Sequence, residues 1–420
     1  MLRIAVVLDQ VMNMGGGYQQ SLSTIKLFEE KGTEYQFIYI TTHKDNLQIL
    51  SSLGVEHHFL DMSLHQDIMQ NQQKYIKRAY RSRKYPFLYK KYRSFLTKEG
   101  QFIDSLFDQA CYQLDIDLVY FLSPTHLAQM SKLHNFMVCV WDLCHRDFPE
   151  FPEVSNSFVF ESRELMYHNI IPKAFRVIAD SETGKKNMVR IYRNQPERVL
   201  VAPFFPSHEV AVTEDWYNKN KVDVKSLMGV QGDYIFYPAQ FWAHKNHVYI
   251  LEALQEMNRS SKTAVHAIFT GSDKGNLGYI KNCVQTMGLS DQVHFPGFVE
   301  TNVMISLYKQ ALALVMPSYF GPTNLPPLEA FALGCPVIYS DMPQMYEQVK
   351  GAVLLVDLNK PESLSSAILK LKKNKAMRNK LTRAGQKKLA LYTPEKYWQQ
   401  VESAFKDYSQ KIKTWKNINR

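Results

Sequence analysis

Short runs of apolar residues alternate with longer stretches of helical spacing along most of this chain. Such a run, bounded by polar turns, is typical of a strand buried in a parallel sheet, and the following amphipathic stretch is typical of the helix that covers it. In the first half the predicted strands are 3–8, 35–40, 118–121, 136–140 and 176–179. In the second half they are 234–237, 266–269, 293–295, 312–316, 336–339 and 354–356. The pattern predicts an α/β fold with parallel, helix-covered sheets.

The length of the chain, 420 residues, exceeds what one hydrophobic core supports and predicts two large domains. A polar stretch at residues 207–232 interrupts the strand series, so a linker is expected near residues 202–206. We therefore predict one domain at residues 1–205, a second at 206–395 and a final helical segment at 396–420.

Residues 317–340, PSYFGPTNLPPLEAFALGCPVIYS, are the segment best suited to hold chemistry. Thr323 and Asn324 are good N-cap residues, and two prolines after them suit a first helical turn. Glu329 falls in the first turns of this helix, and Gly334 ends it before the next strand. Free amides at a helix start, beyond the carboxyl edge of a sheet, predict a diphosphate site. Taken alone, the segment equally fits an ordinary strand, turn and helix connection.

A second segment, residues 234–254 (YIFYPAQFWAHKNHVYILEAL), combines a strand, a polar loop with Lys245 and an amphipathic helix. HFPGFVE at 294–300 and LLVDLNKPESLSSAI at 354–368 complete a set of four motifs. In order and spacing, the set resembles the nucleotide-binding half of the retaining glycosyltransferases of family 4 (glycosyl transferases group 1). The resemblance implies the GT-B fold, in which two Rossmann-like domains face each other across a cleft and the final helix commonly returns to the first domain.

The resemblance implies a nucleoside diphosphate sugar as donor. Its leaving diphosphate needs a fixed cation, and Lys245 matches the family's lysine. The arginine that the family carries five residues earlier is Gln240 here, so one positive charge is missing or comes from another residue. His244 and His247 are candidates to supply it.

The family's paired acidic motif, Glu-x7-Glu, is only half present. Glu329 matches the second glutamate, which holds the nucleotide ribose, whereas Gly321 stands at the position of the first, which contacts the donor sugar. Thr323 and Asn324 fall where the family has glycines and offer neutral donors and acceptors to sugar hydroxyls. The further donor-binding candidates are Leu325, which follows them, and Gly271, Gly297 and Phe298, which match loops near the base.

In the first half, Gly16 and Gly17 follow the first strand and open a helix, where glycine lets the backbone approach a ligand closely. They resemble the family's glycine loop, although a flexible turn explains them equally well. The segment 138–153 resembles the family's cleft-lining segment. Trp141 occupies the place where a histidine often precedes Asp142, so His145 is assigned as the active-site histidine, and the alternative is a local Asp142 to His145 pair that braces the loop.

The net charge of +10 has a local source. Residues 74–98 hold ten basic side chains and no acidic one, with aromatic residues between them, so the rest of the chain sums to zero. This composition suits an anionic membrane surface or a lipid-linked acceptor, and a solvated basic surface is the alternative. Nucleic acid is not expected, because no nucleic-acid-binding motif accompanies the patch. The residues assigned to the docking patch are Lys74, Lys77, Arg78, Arg81, Arg83 and Lys84.

No metal or cofactor is expected. The one Asp-x-Asp, at residues 115–117, precedes a predicted strand and so lies at the end away from the expected site. The five cysteines include no CxxC pair and indicate reduced, buried thiols. No apolar run approaches the length needed to cross a bilayer, so we expect a cytoplasmic protein held peripherally at the inner face of the membrane.

These observations lead to one expected function: transfer of a hexose from a nucleoside diphosphate sugar to a saccharide acceptor, lipid-linked, with retention of configuration, as in surface polysaccharide assembly. Catalytic roles are assigned to Asp142, His145, Lys245 and Glu329. Two alternatives stay open. One is a sugar-nucleotide epimerase or hydrolase of the same fold, and the other is a non-catalytic protein that binds nucleotide sugars and has lost the first acidic residue, at Gly321.

Overall fold

The computed structural model describes residues 1–12, 16–62, 106–261 and 263–415. Within these ranges the chain forms two parallel sheets, each covered by helices. The predicted α/β class is therefore confirmed, as is the presence of two such units.

The first sheet occupies the first half of the chain. Its strands are β1 (Leu2–Leu8), β2 (Tyr35–Thr41), β3 (His57–Phe59), β4 (Leu118–Phe121), β5 (Phe136–Val140), β6 (Arg176–Ala179) and β7 (Val199–Val201). They lie in the order β3-β2-β1-β4-β5-β6-β7, all parallel. β3 and β7, each a three-residue edge strand, were not predicted.

The second sheet contains β8 (Tyr234–Pro238), β9 (His266–Thr270), β10 (Val293–Gly297), β11 (Ala313–Met316), β12 (Val337–Ser340) and β13 (Leu354–Val356). Their order is β10-β9-β8-β11-β12-β13. All six predicted strands are present, within one or two residues of the expected bounds. The first sheet ends at Val201 and the second begins at Tyr234, and the exact limits of the three predicted segments stay predictions.

Helices cover both sheets. The first unit has α1 (Gly16–Lys31), α2 (Asp45–Ser52), α3 (Cys144–Asp147), α4 (Pro152–Ser155), α5 (Val159–Ile170) and α6 (Glu182–Tyr192). The second has α7 (Glu214–Asn220), α8 (Val224–Met228), α9 (His247–Ser261), α10 (Leu277–Thr286), α11 (Thr301–Gln310), α12 (Leu325–Leu333), α13 (Tyr346–Val349), α14 (Pro361–Lys373) and α15 (Lys375–Leu389). Short 3-10 turns lie at His126–Met130, Asn156–Phe158, Pro196–Arg198, His208–Val210, Ala243–Lys245 and Pro343–Met345.

The last helix, α16 (Pro394–Ile412), packs against the first sheet, although it follows the second unit in the sequence. Thr393 caps its start by accepting a hydrogen bond from the Lys396 amide. Phe405 is fully buried among aromatic rings of the first unit, and the Tyr408 hydroxyl donates to the Asp117 carbonyl at 2.8 Å. The last helix of the chain thereby completes the core of the first unit.

In both sheets the strand order reverses at one point, and a crevice for a ligand opens at such a point. β1 lies between β2 and β4, and β8 lies between β9 and β11, so the connections leave in opposite directions at the carboxyl ends of these strands. The loops after β1, β5, β8 and β11 therefore carry the residues that reach the space between the two units.

Direct contacts join the two units beside this space. The Glu347 carboxylate accepts hydrogen bonds from the backbone amides of Glu182 and Thr183 at the start of α6, at 3.0 and 3.3 Å. The Thr323 hydroxyl donates to the carbonyl of Asp180 at 3.1 Å. A negative charge at a helix N-terminus is stabilising, so Glu347 contributes a favourable contact between the two units.

Candidate functional site

Two adjoining cavities of about 430 and 440 Å³ lie between the units. They share a wall made of residues from the loop after β8 and from the start of α12: Pro238, Ala239, Gln240, Leu325 and Pro326. The two cavities therefore form one continuous cleft. We call them the first cavity, which contains Glu329, and the second cavity, which contains Lys245.

Lys245 is held by the loop that follows β8. Its carbonyl accepts a hydrogen bond from the Tyr237 hydroxyl at 3.0 Å, and its Nζ donates to Asn324 Oδ1 at 3.2 Å. Burial lowers the pKa of Lys245 to about 8, so the ammonium is the main form at neutral pH. The structure thus brings together Lys245 and Asn324, which lie 79 residues apart in the sequence.

The Asn324 side chain is fixed on every side. Its Nδ2 donates to the Gly321 carbonyl at 2.6 Å and to the Tyr339 hydroxyl at 2.7 Å, while Oδ1 faces Lys245. Gln348 accepts from the Asn324 backbone amide at 3.0 Å and donates back to its carbonyl at 2.8 Å.

This arrangement corrects one expectation about the helix start. The Asn324 amide is already bonded to Gln348, and Pro326 and Pro327 have no N–H, so α12 offers fewer free amides than the sequence predicts. Stabilisation of an anion at this point depends more heavily on Lys245.

Gly321 occupies the position of the missing first glutamate, and its geometry explains the absence. Its φ is +111°, a conformation that favours glycine, and a Cβ there would lie 2.8 Å from Asn324 Nδ2. Asn324 therefore fills the space that a side chain at position 321 would need. Glycine at position 321, in place of the family's glutamate, is therefore compatible with the packing of Asn324.

Glu329 points into the first cavity from α12. Its Oε2 accepts a hydrogen bond from the Tyr308 hydroxyl at 2.7 Å. Burial raises the pKa of Glu329, the Tyr308 hydrogen bond opposes the rise, and the charge of Glu209 adds to it. Glu209, which lines the same cavity, was not singled out from the sequence.

The far wall of the first cavity comes from the ends of β9 and β10. Gly271 has a φ of +152°, and a Cβ there would lie 2.3 Å from the Ala239 carbonyl oxygen, so the backbones approach as closely as glycine permits. Gly297 and Phe298 line the opposite side, and the Phe298 ring is 79% exposed at the cavity. These residues thus line one cavity, and their expected role in binding the base stays a prediction.

The first unit contributes the opposite wall of the second cavity. A Cβ on Gly17 would lie 3.0 Å from Trp141 Cη2, so glycine lets α1 approach the Trp141 ring. Gly17 and Trp141 both line the cavity, and Gly16 is the first residue of α1.

Asp142 lines the second cavity together with Arg163, a residue from α5 that was not singled out from the sequence. Asp142 Oδ1 accepts hydrogen bonds from Arg163 Nη1 and from the Cys144 amide, both at 3.0 Å. Burial alone would raise the pKa of Asp142, but Arg163 and the Cys144 amide outweigh it and lower the pKa below its ordinary value. The wall thus carries a fixed ion pair.

His145 does not lie in the cleft, contrary to the expected active-site role. Its side chain is 0% exposed, and its Nε2 bonds to Glu164 at 2.7 Å. The structure shows no hydrogen bond between His145 and Asp142, whose side chain bonds to Arg163 and to the Cys144 amide, although the two residues are close enough to interact electrostatically. Burial lowers the pKa of His145, although Glu164 opposes this effect.

Neither histidine beside Lys245 replaces the missing charge. His244 bonds through Nδ1 to Glu153 at 2.5 Å, yet burial lowers its pKa to about 4. His247 is fully buried against Tyr237, Phe241 and Phe269, and burial lowers its pKa to about 3. Both rings are neutral at physiological pH. Arg163 also lines the second cavity, but its charge is balanced by Asp142.

Three further expectations concern the docking patch, membrane-spanning segments and the cysteines. The docking-patch residues Lys74, Lys77, Arg78, Arg81, Arg83 and Lys84 lie outside the described residues. In the parts of the chain that the structure describes, no helix is both long and apolar enough to cross a membrane. The five cysteines are free and buried, as predicted.

With this geometry in place, comparison with known proteins identifies the second unit. Residues 218–388 match the family model of the glycosyl transferases group 1. The part of the chain that carries Lys245, Asn324 and Glu329 is therefore similar to the domain of this family, as the four motifs indicated.

Curated relatives of the chain are glycosyltransferases. An uncharacterised glycosyltransferase of Methanocaldococcus jannaschii is 24% identical over 181 residues, which cover 42% of this chain and 45% of that protein. O-antigen chain mannosyltransferase B of Escherichia coli is 22% identical over 248 residues, covering 58% of this chain and 63% of the relative. The chain thus spans about half to two thirds of the length of these relatives.

Solved structures support the fold over almost the whole chain. Anabaena HepE, solved in complex with UDP and glucose, superposes with a TM-score of 0.69 at 14% identity, covering 97% of this chain and 100% of HepE. At this identity the likeness concerns the fold alone. It confirms the GT-B architecture predicted from the sequence.

Proposed function

We propose that the protein transfers a hexose from a nucleoside diphosphate sugar to a saccharide acceptor, with retention of configuration. The observation that carries this proposal is the contact between Lys245 and Asn324, because it places a cation in the cleft beside the cavity that holds Glu329. The group 1 match of this unit and the O-antigen mannosyltransferase relative support the same reaction class.

In this proposal the donor spans both cavities. The nucleoside fills the first cavity, with the ribose at Glu329 and the base between the Gly271 and Gly297 loops. The diphosphate lies at the shared wall, within reach of Lys245. The hexose then enters the second cavity, where Asn324 and Thr323 offer neutral hydrogen-bonding groups to its hydroxyls.

The cleft suits a reaction in which the leaving diphosphate is also the base. As the bond between the sugar carbon and the phosphate oxygen breaks, negative charge grows on that oxygen, and the Lys245 ammonium stabilises it more strongly than in the ground state. The acceptor hydroxyl attacks the same face of the sugar, and its proton passes to the departing phosphate oxygen. This route needs no protein nucleophile, and the proposal includes no metal ion.

The acceptor in this proposal is a lipid-linked saccharide reached from the cytoplasmic face of the membrane. The name of the Escherichia coli relative, an O-antigen chain mannosyltransferase, supports this class of acceptor. The ten basic residues within 74–98 supply the charge for anionic headgroups. Binding to vesicles of anionic phospholipid should fall when Lys74, Lys77, Arg78 and Arg81 are changed to glutamate. Undiminished binding would remove the membrane from the proposal.

The first experiment is a thermal-unfolding screen against nucleotide sugars and nucleoside diphosphates, because a ligand that binds the folded state raises the melting temperature. Product analysis follows with the stabilising donor, with and without a saccharide acceptor. Transfer to the acceptor supports the proposal. A changed donor sugar without acceptor would identify an epimerase, and binding without any product would identify a nucleotide-sugar-binding protein.

A further inference from the structure

Glu209 lies between the two units, at one wall of the first cavity. It belongs to the 3-10 turn His208–Val210, in the segment that links the sheets. Its Oε2 accepts a hydrogen bond from the Thr301 hydroxyl at 3.3 Å, in the first turn of α11. Glu329 reaches the same cavity from α12, so two carboxylates that belong to separate elements face one space.

The first cavity also contains hydrogen-bonding atoms that lack partners. Thr270 is 3% exposed, and its Oγ1 has no hydrogen-bond partner within the described residues. The same is true of Ser272 Oγ, and both residues line the cavity. Buried polar atoms without partners are costly, so a polar group that reached these two hydroxyls at the cavity wall would be stabilised there.

We infer that Glu209 is a second donor-binding carboxylate, which shares with Glu329 the two hydroxyls of the nucleotide ribose. This inference rests on the proposed function, since it assumes that a nucleotide occupies the first cavity. A ribose presents two adjacent O–H donors, and in this inference Glu209 accepts from the 2′-hydroxyl and Glu329 from the 3′-hydroxyl. Charge-assisted hydrogen bonds of this kind are stronger than neutral ones.

The same geometry links donor binding to the first unit. The Ser207 hydroxyl accepts a hydrogen bond from the Glu209 amide at 3.2 Å and donates to Gln19 Oε1 on α1 at 3.1 Å. Gln19 itself lines the first cavity. A ribose held by Glu209 is therefore connected through Ser207 to the opposite wall of the cleft, so donor binding favours the arrangement in which the two units are joined.

The test compares uridine and guanosine diphosphates with their 2′-deoxy forms by calorimetric titration of the full chain. The variants are Glu209→Gln and Glu209→Ala. Glu214→Gln is the matched control, because Glu214 lies in the same interdomain segment and pairs with Lys309 of α11, but lines neither cavity. Thermal unfolding without nucleotide shows whether each variant keeps its fold.

In the unaltered protein the preferred ribonucleotide should bind about tenfold more tightly than its 2′-deoxy form, because the missing hydroxyl leaves a carboxylate without its partner. Both Glu209 variants should lower the affinity for the ribonucleotide by a similar factor and should lower the affinity for the 2′-deoxynucleotide less. The preference for the ribonucleotide over its 2′-deoxy form should therefore become smaller. Glu214→Gln should change neither affinity.

Three results would count against these claims in different ways. Unchanged ribonucleotide affinity in both Glu209 variants would overturn the inference and leave the proposed function standing. An equal loss for the ribo and deoxy forms would also overturn it, since Glu209 would then act on another part of the ligand. Failure of the unaltered protein to bind any nucleoside diphosphate would overturn the proposed function itself.

Discussion

Lys245 Nζ and Asn324 Oδ1 lie 3.2 Å apart and join the loop after β8 to the start of α12. Asn324 is in turn held by Gly321, Tyr339 and Gln348, so the ammonium has a rigid partner. The pair fixes the position of the positive charge before any ligand arrives. A preorganised charge costs no reorganisation when a diphosphate binds or leaves.

Replacing Lys245 with alanine should weaken nucleoside diphosphate binding by about tenfold to a hundredfold, since a hydrogen bond to a charged group contributes about 1.5–3 kcal/mol. Calorimetric titration measures the change directly. Lys219→Ala is the control, because Lys219 is an exposed lysine paired with Asp215 outside the cleft. Equal effects of the two substitutions would mean that Lys245 does not contact the diphosphate.

Nucleotide affinity should depend on pH through Lys245. Burial lowers the pKa of Lys245 to about 8, and only the protonated form attracts a diphosphate. Affinity should therefore be full below about pH 8 and should fall as the pH rises above it; a bound anion favours the ammonium and moves the fall upward. Titrations from about pH 7 to about pH 9.5 test this. Lys245→Ala should show no such fall, and a fall of the same size in that variant would assign the effect to another group.

Gly321→Ala should destabilise the protein by about 2–4 kcal/mol, because it combines a positive φ with a Cβ placed against Asn324. Gly229→Ala is the matched control: its φ is +64°, but its Cβ would meet nothing within 4 Å, so only the backbone penalty of about 1–2 kcal/mol applies. Urea unfolding gives both values. If the two losses are equal, the crowding against Asn324 has no energetic cost.

Phe405→Ala should destabilise the first unit by about 3–5 kcal/mol, the usual cost of removing a fully buried aromatic side chain. Phe405 contacts Phe28 and Tyr120 with ring centroids 6.0 and 6.2 Å away, so the substitution opens a cavity between α16 and the sheet. Chemical denaturation followed at two wavelengths checks this. Tyr279→Ala, at a residue 59% exposed, should change stability by less than about 0.5 kcal/mol. If Tyr279→Ala lowered the free energy of unfolding as much as Phe405→Ala does, the effect of Phe405→Ala would not be specific to the buried ring.

The sequence was informative wherever a pattern is typical of one structure only. The residues of β4, β5 and β6 are completely buried apart from Arg176, and their predicted bounds match the structure because a short, continuous apolar run between polar turns is typical of a buried strand. Lys245 was singled out because it matches the lysine of the family motif, and Asn324 because it is a good N-cap residue at a position where the family has glycine. Both follow strands of the same sheet, and such loops meet at its carboxyl edge.

The cavity-lining residues that the sequence did not reveal depend on tertiary structure. Arg163 is one charged residue on an amphipathic helix, and Glu209 is one carboxylate in a polar segment, so neither has a spacing that distinguishes it from a solvated side chain. His145 shows the opposite error. Its position three residues after Asp142 suggested a shared site, but the turn of α3 sends the ring into the core, where Glu164 receives it.

The packing of α16 on the first sheet has a consequence for biosynthesis. A chain emerging from the ribosome presents Phe28, Phe37 and Tyr120 long before the aromatic residues that cover them are made. Domains generally fold as units during synthesis, starting with the N-terminal one. In this protein, however, the core of the first unit is completed only by α16, which is translated after the whole of the second unit. A nascent chain stalled before residue 394 therefore carries an uncovered apolar face, and it is the natural client of a chaperone.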